Sequence, residues 1–137
     1  MRHYAVDNKG VEHVVYLGIE EWWVTDRESF LMLTPSKYNI ETVEDCDLLI
    51  TTKEQSTRLK TLSPLYVKLS LTLDERHHLA AEDRIQKSIS YSAEEKVKAL
   101  LEKYPVFFQR FPQNIIASYL GLTPETLSRI RKQVHSK

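Results

Sequence analysis

Between Leu65 and Tyr91 the chain contains neither glycine nor proline. A stretch of that length without a breaker, opened by Ser63 as a cap and Pro64 at the first helical position, predicts one long helix. Leu65, Leu69 and Leu73 recur at intervals of four and are followed by Ala80, Ala81, Ile85 and Ile89. At 1.5 Å per residue such a helix reaches about 40 Å, more than a small domain covers. Its apolar positions therefore call for a helical partner, most simply the same helix of a second copy; the other reading is a long connector flanked by solvent. In a chain of 137 residues this helix sets the organisation: residues 1–62 before it, 63–91 within it and 92–137 after it.

The first part reads as strands. HYAV and VEHVVYLG flank Asp7-Asn8-Lys9-Gly10, whose Asn and Gly tolerate positive φ, which predicts a hairpin. Tyr38, Ile40 and Thr42 alternate with polar neighbours, and a turn at Glu44-Asp45 leads to Asp47-Leu-Leu-Ile, which predicts a second hairpin. The connection between them carries Trp22 and Trp23, expected in core and edge packing, with stacking on a ligand as the alternative. The single cysteine, Cys46, excludes an intrachain disulfide and any CxxC motif and reads as a small core residue.

After the long helix, Ser92-Ala-Glu-Glu is a capping box, and Val97, Leu100, Leu101 and Tyr104 share one face of the helix that Pro105 ends. Pro112 starts another helix through Ile115, Ile116, Tyr119 and Leu120, and Gly121 supplies the left-handed residue that closes it. Thr123 then caps a last helix with Pro124 at its first position and Leu127, Ile130 and Val134 as its inward stripe. Ala117 is small where the two helices would cross. The pattern is that of a helix-turn-helix.

At 100° per residue the face opposite that stripe holds Glu125, Arg129 and Lys132, flanked by Ser128. These side chains suit base edges in a major groove, arginine to guanine and glutamate to a cytosine amino group. Arg131, toward the side of the helix, suits a phosphate, as does the helix N-terminus beside Thr123. Two packed helices with a solvated charged face are the bland alternative. Charge agrees with a polyanionic partner for this segment alone. Residues 1–62 hold seven Lys and Arg against eleven Asp and Glu, residues 63–103 seven against seven, and residues 104–137 five against one. Phosphate attraction is local and screened beyond about 8 to 10 Å, so the basic tail acts despite a net charge of zero.

On these residues the chain resembles the CRP/FNR family of bacterial transcription regulators. IIASYLGLTPETLSRIRK is similar to the family's DNA-binding signature, in the form seen in Bacteroidetes-type members. YAVDNKGVEHVVYLGIEEWWVTDRESFL and PSKYNIETVEDCDLLI are similar to the later strands of its β-roll. The resemblance implies an α+β fold: a partial β-roll of double-stranded jelly-roll type, a long dimerisation helix and a C-terminal helix-turn-helix domain of winged-helix type. It implies a dimer on duplex DNA, RNA polymerase as a further partner, and Glu125, Ser128 and Arg129 at the positions that touch bases. Cyclic-AMP-binding members use a Gly-Glu and an Arg-Ser pair around the phosphate. Here the matching stretches read Val24-Thr25-Asp26 and Ser36-Lys37-Tyr38, so cyclic AMP is not the expected effector. The cysteines of an FNR-type iron–sulfur cluster are also missing, and no cofactor or metal is expected. The resemblance further implies that the first strands of the roll and much of the wing are not covered by these residues.

Other classes fit less well. A metal enzyme on a roll needs several convergent histidines, whereas His3 and His13 fall on different strands. His77 and His78 point 100° apart on a helix and read as solvent-exposed. Asp26 and Glu28 read as solvated loop carboxylates, so an enzyme is not expected. The remaining alternative is a dimeric interaction module whose helix-turn-helix binds another protein. No apolar run approaches the roughly 18 residues of a membrane span and no signal-peptide pattern opens the chain, which makes the cytoplasm the default compartment.

Overall fold

A hairpin and a cluster of four short helices meet on one apolar core in the computed structural model, which describes residues 1–135, and a long helix lies outside that core. Ser136 and Lys137, the latter counted in the basic tail, lie outside the described residues. The hairpin forms where its turn dictates. The Asp7 carboxylate accepts from the Lys9 and Val11 amides at 2.8 and 2.9 Å, and Gly10 takes φ 79°, which a residue with a side chain adopts at a cost. β1 (Arg2–Val6) and β2 (Glu12–Leu17) thereby pair antiparallel.

The second hairpin does not form. β3 (Asn39–Glu41) pairs antiparallel with the other edge of β1, giving the order β2-β1-β3. That edge would otherwise be unpaired. Asp47–Ile50, expected as the returning arm, joins no ladder among the described residues, and Leu48, Leu49 and Ile50 are exposed. Cys46, at the start of this uncovered segment, is exposed rather than core.

Two helices stand where strands or loop were expected. α1 (Arg27–Met32) is capped by Asp26, which accepts from the Ser29 amide at 3.2 Å. α2 (Lys53–Leu62) starts at a reciprocal capping box, Thr52 with Gln55. The long helix is as expected: α3 (Pro64–Ser90) runs 27 residues, with Ser63 Oγ accepting from the Tyr66 amide. Its inward side is held largely by polar groups. Arg27 pairs with Asp74, Arg84 donates to the Val15 carbonyl, and the Tyr66 hydroxyl donates to Ser56 Oγ at 3.1 Å. His77 turns inward too, its ring 5.5 Å from that of Tyr16, while His78 faces Glu82 in solvent. Leu65 and Ile89, at 75 and 81 % exposure, remain uncovered within one copy.

α4 (Ala93–Lys103), α5 (Phe107–Arg110), α6 (Gln113–Leu120) and α7 (Pro124–His135) follow in short steps. Val97, Leu100, Phe107, Phe111, Ile115, Ile116, Leu127 and Ile130 bury together with Val14 and Leu17 of β2. The hairpin is pinned to α6 by one hydroxyl: Ser118 Oγ accepts from the Val14 amide at 3.0 Å and donates to the Glu12 carbonyl at 3.1 Å. Trp22 packs edge-on against Tyr104 and Phe107, whereas Trp23 sits at the edge beside Tyr66. Among the described residues no helix is long and apolar enough to cross a membrane.

Arg110 ties the helical cluster to the segments that follow β2 and β3. Its guanidinium grips Glu20 through two hydrogen bonds at 2.6 and 2.7 Å and also bonds Glu44 at 2.9 Å. That contact holds the Glu20 carboxyl at about 2. A carboxyl whose pKa is depressed on folding stabilises the fold above its unfolded value, and that contribution fades as pH falls toward the folded one. Arg110→Gln should therefore lower the thermal midpoint at pH 7 by a small amount, because the group is exposed to solvent. The gap to the parent should close as pH drops from about 4.5 to about 2. A gap that stayed constant over that window would place the effect of the substitution elsewhere.

Candidate nucleic-acid interface

The turn between α6 and α7 is built by its sequence. Gly121 closes α6 at φ 67°, its amide directed at the Ala117 and Ser118 carbonyls, and the Leu122 amide returns to Ala117 at 2.8 Å. Thr123 then caps α7, its Oγ1 accepting from the Thr126 amide at 3.2 Å. Gln113, at the first turn of α6, donates from Nε2 to the Pro124 carbonyl at 2.8 Å and fixes the opposite end of the corner. Leu127 and Ile130, both buried, lock the rotation of α7 about its axis.

With that rotation fixed, the six candidate side chains separate into groups. Thr123 caps the helix and is exposed. Glu125 and Arg129 project into solvent. The Glu125 carboxyl is held below its ordinary value by its own backbone amide and by the Thr123 hydroxyl, so it is anionic in the physiological range. Ser128, Arg131 and Lys132 instead meet Gln113 around an open cleft of about 290 Å³ between the start of α6 and the middle of α7. Arg131 is half-buried there, with its guanidinium carbon 5.2 Å from the centre of the Phe108 ring. That stacking orients the side chain and leaves its charge at the cleft. Lys132 is exposed on the same side.

Reading from sequence missed two features of this surface. Gln113 lines the cleft, and α6 begins without a side-chain cap, so its first turn presents backbone donors beside the cleft. The signal was the Pro112-Gln-Asn start, in which proline supplies no capping oxygen. The second concerns charge. Arg110, counted with the basic tail, is turned away to Glu20 and Glu44 and does not face this corner.

The stretches around Asp26 and around Ser36 and Lys37 do meet. Ser36 Oγ donates to Asp26 at 2.7 Å and Lys37 pairs with Glu28 at 3.0 Å. No protein-family model matches the chain, and no curated protein matches it.

Proposed function

We propose that the chain is a dimeric, sequence-specific DNA-binding transcription regulator of the CRP/FNR type, with α6 and α7 as its helix-turn-helix and α7 in the major groove. The observation that carries this reading is the surface of α7. Arg129 and Lys132 stand exposed on a helix whose other side is clamped by Leu127 and Ile130, next to a cleft that gathers Ser128, Arg131 and Gln113. A rigid helix presenting cations and amide groups on one side is what groove entry requires. Arg131 and Lys132, at the cleft beside the start of α6, are assigned to phosphate, and Arg129 with Glu125 to base edges.

Two further observations support the reading. Leu65, Leu69 and Ile89 on α3 are left exposed in a single copy, which favours the second copy that a palindromic operator needs. The effector is unknown, and Ser36 and Lys37 where cyclic-AMP-binding members carry an Arg-Ser pair support one other than cyclic AMP.

Selection from random duplexes tests the proposal. A dimer should enrich a palindrome with half-sites about one helical turn, ~34 Å, apart. Arg129→Ala should lose about 1 to 3 kcal/mol of discrimination at one base pair per half-site. Lys132→Ala should weaken all duplexes alike and flatten the salt slope by about one. No enriched palindrome, or base preferences unchanged in Arg129→Ala, would sink base reading by α7, and salt-independent behaviour would favour a protein partner instead.

A further inference from the structure

The long helix α3 is attached to the rest of the fold with little apolar packing. Among the described residues none of its hydrophobic side chains joins the buried cluster or packs against it, and the residue it buries is Ser70. Polar contacts hold it instead. Toward its start the Tyr66 hydroxyl reaches Ser56 on α2. Toward its end Asp83 accepts from Lys87 on the same helix at 2.7 Å and from Lys103 on α4 at 3.2 Å. Between these anchors Asp74, His77 and Arg84 connect the middle of α3 to α1 and the sheet. Contacts of this kind are worth little each, so one added charge can decide whether the middle stays docked.

His77 is half-buried, its ring tilted against Tyr16 of β2 at 5.5 Å between centroids. Around it cations outnumber anions. α1 brings Arg27, paired with Asp74 of α3, and α3 itself brings Arg84 and, on its outer side, His78. β1 brings His3, which feels the His77 and Arg84 charges and is opposed by Asp26. α6 brings the Tyr119 phenol, with the Arg84 guanidinium 5.8 Å from its ring centre. The same space is lined by Glu28, which Lys37 engages, by Lys96 and Tyr104 of α4, and by Lys87 and Lys103 around Asp83. Burial pushes the Tyr16 phenol up to about 12, so it stays neutral. Burial also holds His77 below the ordinary histidine value, with Arg27, Arg84 and His78 acting in the same direction and Asp74 opposing, so its ring is neutral at pH 7.

We propose that mild acid releases the middle of α3 from the sheet by charging His77. A proton on this ring sets a third cation beside two arginines and brings a charge into a half-buried aromatic contact. A histidine held low on folding contributes fully above its free value of about 6.5, and that contribution is lost as pH falls from there through the folded value. Asp26 and Asp83 are held below the ordinary carboxylate value by their hydrogen bonds to Ser36 and Lys87, so both stay anionic over this window. The end of α3 therefore keeps its tie to α4 while the middle lets go. Release takes Arg84 from the Val15 carbonyl and from the Tyr119 ring, so the change reaches both the hairpin and α6. The device needs neither α7 nor DNA and stands apart from the reading above.

The test follows the Tyr16 ring of the full chain by aromatic NMR with a neutral gadolinium cosolute, titrated from about pH 7.5 to about pH 5.5, where histidine changes charge. Paramagnetic relaxation of the ring should rise about twofold as a half-buried group meets solvent, while the Ile116 amide in the core keeps its exchange protection factor. His77→Gln, neutral throughout, should hold the ring at its starting value across the range. His77→Arg, charged throughout, should expose it already at neutral pH. His78→Gln, which alters the neighbouring ring that faces Glu82, should titrate like the parent. A flat Tyr16 response in the parent overturns the proposal whether or not the variants fold. So does a response that survives in His77→Gln, which would place the sensing group elsewhere. Loss of Ile116 protection over the same range would show global unfolding and overturn a release confined to α3.

Discussion

Phe107→Ala should cost about 3 to 5 kcal/mol, among the largest losses a single substitution gives in a core. The ring is 1 % exposed and touches aromatic neighbours from three parts of the chain. Tyr104 at the end of α4 stacks on it at 4.9 Å, Phe111 meets it edge-on at 5.3 Å, and Trp22, from the connection after β2, does so at 5.9 Å. The substitution therefore removes buried area, leaves a cavity, and breaks edge-to-face contacts that add to area burial. With total stability of about 5 to 15 kcal/mol for a domain, the variant should melt roughly 10 to 20 °C below the parent. Scanning calorimetry measures the midpoint, and near-ultraviolet dichroism of Trp22 reports the loss of its neighbour. Phe107→Leu, which keeps most of the volume, should recover more than half of the difference. A loss below about 1 kcal/mol for Phe107→Ala would mean that the cluster closes around the gap and does not hold these parts together.

The parts of this fold legible in the sequence are those whose cause is local. Ser63, Ser92 and Thr123 cap helices because a side-chain oxygen two or three residues before a free amide is a matter of spacing alone. Gly121 and Gly10 turn the chain where only their neighbours decide it. The Thr52 capping box was equally local, but α2 exposes Leu59 and Leu62 and buries Ser56, so no apolar periodicity drew attention to it. What was not legible depends on partners distant in sequence. β3 was expected to pair with the segment after it and pairs with β1 instead, a choice fixed by which edge is free. His77 and His78 differ only in which side of α3 meets Tyr16.

The candidate interface divides the same way. The outward position of Glu125 and Arg129 follows from 100° per residue once Leu127 and Ile130 point inward. The cleft does not, because it needs Gln113 brought beside Ser128 and Arg131 by the turn. Nor does the removal of Arg110 from the basic surface, which depends on carboxylates 66 and 90 residues away.

Leu127→Ala should cost about 2 to 5 kcal/mol, and its reach along the chain says whether the hairpin and the helices fold as one unit. Leu127 is fully buried at 0 % exposure on the inner side of α7. The buried cluster it belongs to includes Val97 on α4 and Ile116 on α6 and continues to Val14 and Leu17 on β2. Val14 in turn donates its amide to Ser118 of α6, so a β2 hydrogen bond depends on a helix that α7 supports. If the cluster unfolds cooperatively, amide exchange of Val14 should quicken by the same factor as that of Ile130, about 30-fold or more at the lower bound of the loss. The DNA binding proposed for α7 should fall with them, since the orientation of Arg129 rests on the same packing. Val14 keeping its parental protection while the α7 amides exchange freely would show two units docked through Ser118, with the hairpin stable by itself. That outcome is disfavoured by size, because a two-stranded ribbon with one short added strand buries too little apolar surface to stand alone. Ser118→Ala separates the contributions. It leaves the Val14 amide without its acceptor and should lower protection at Val14 more than at Ile130, whereas Leu127→Ala should lower both together.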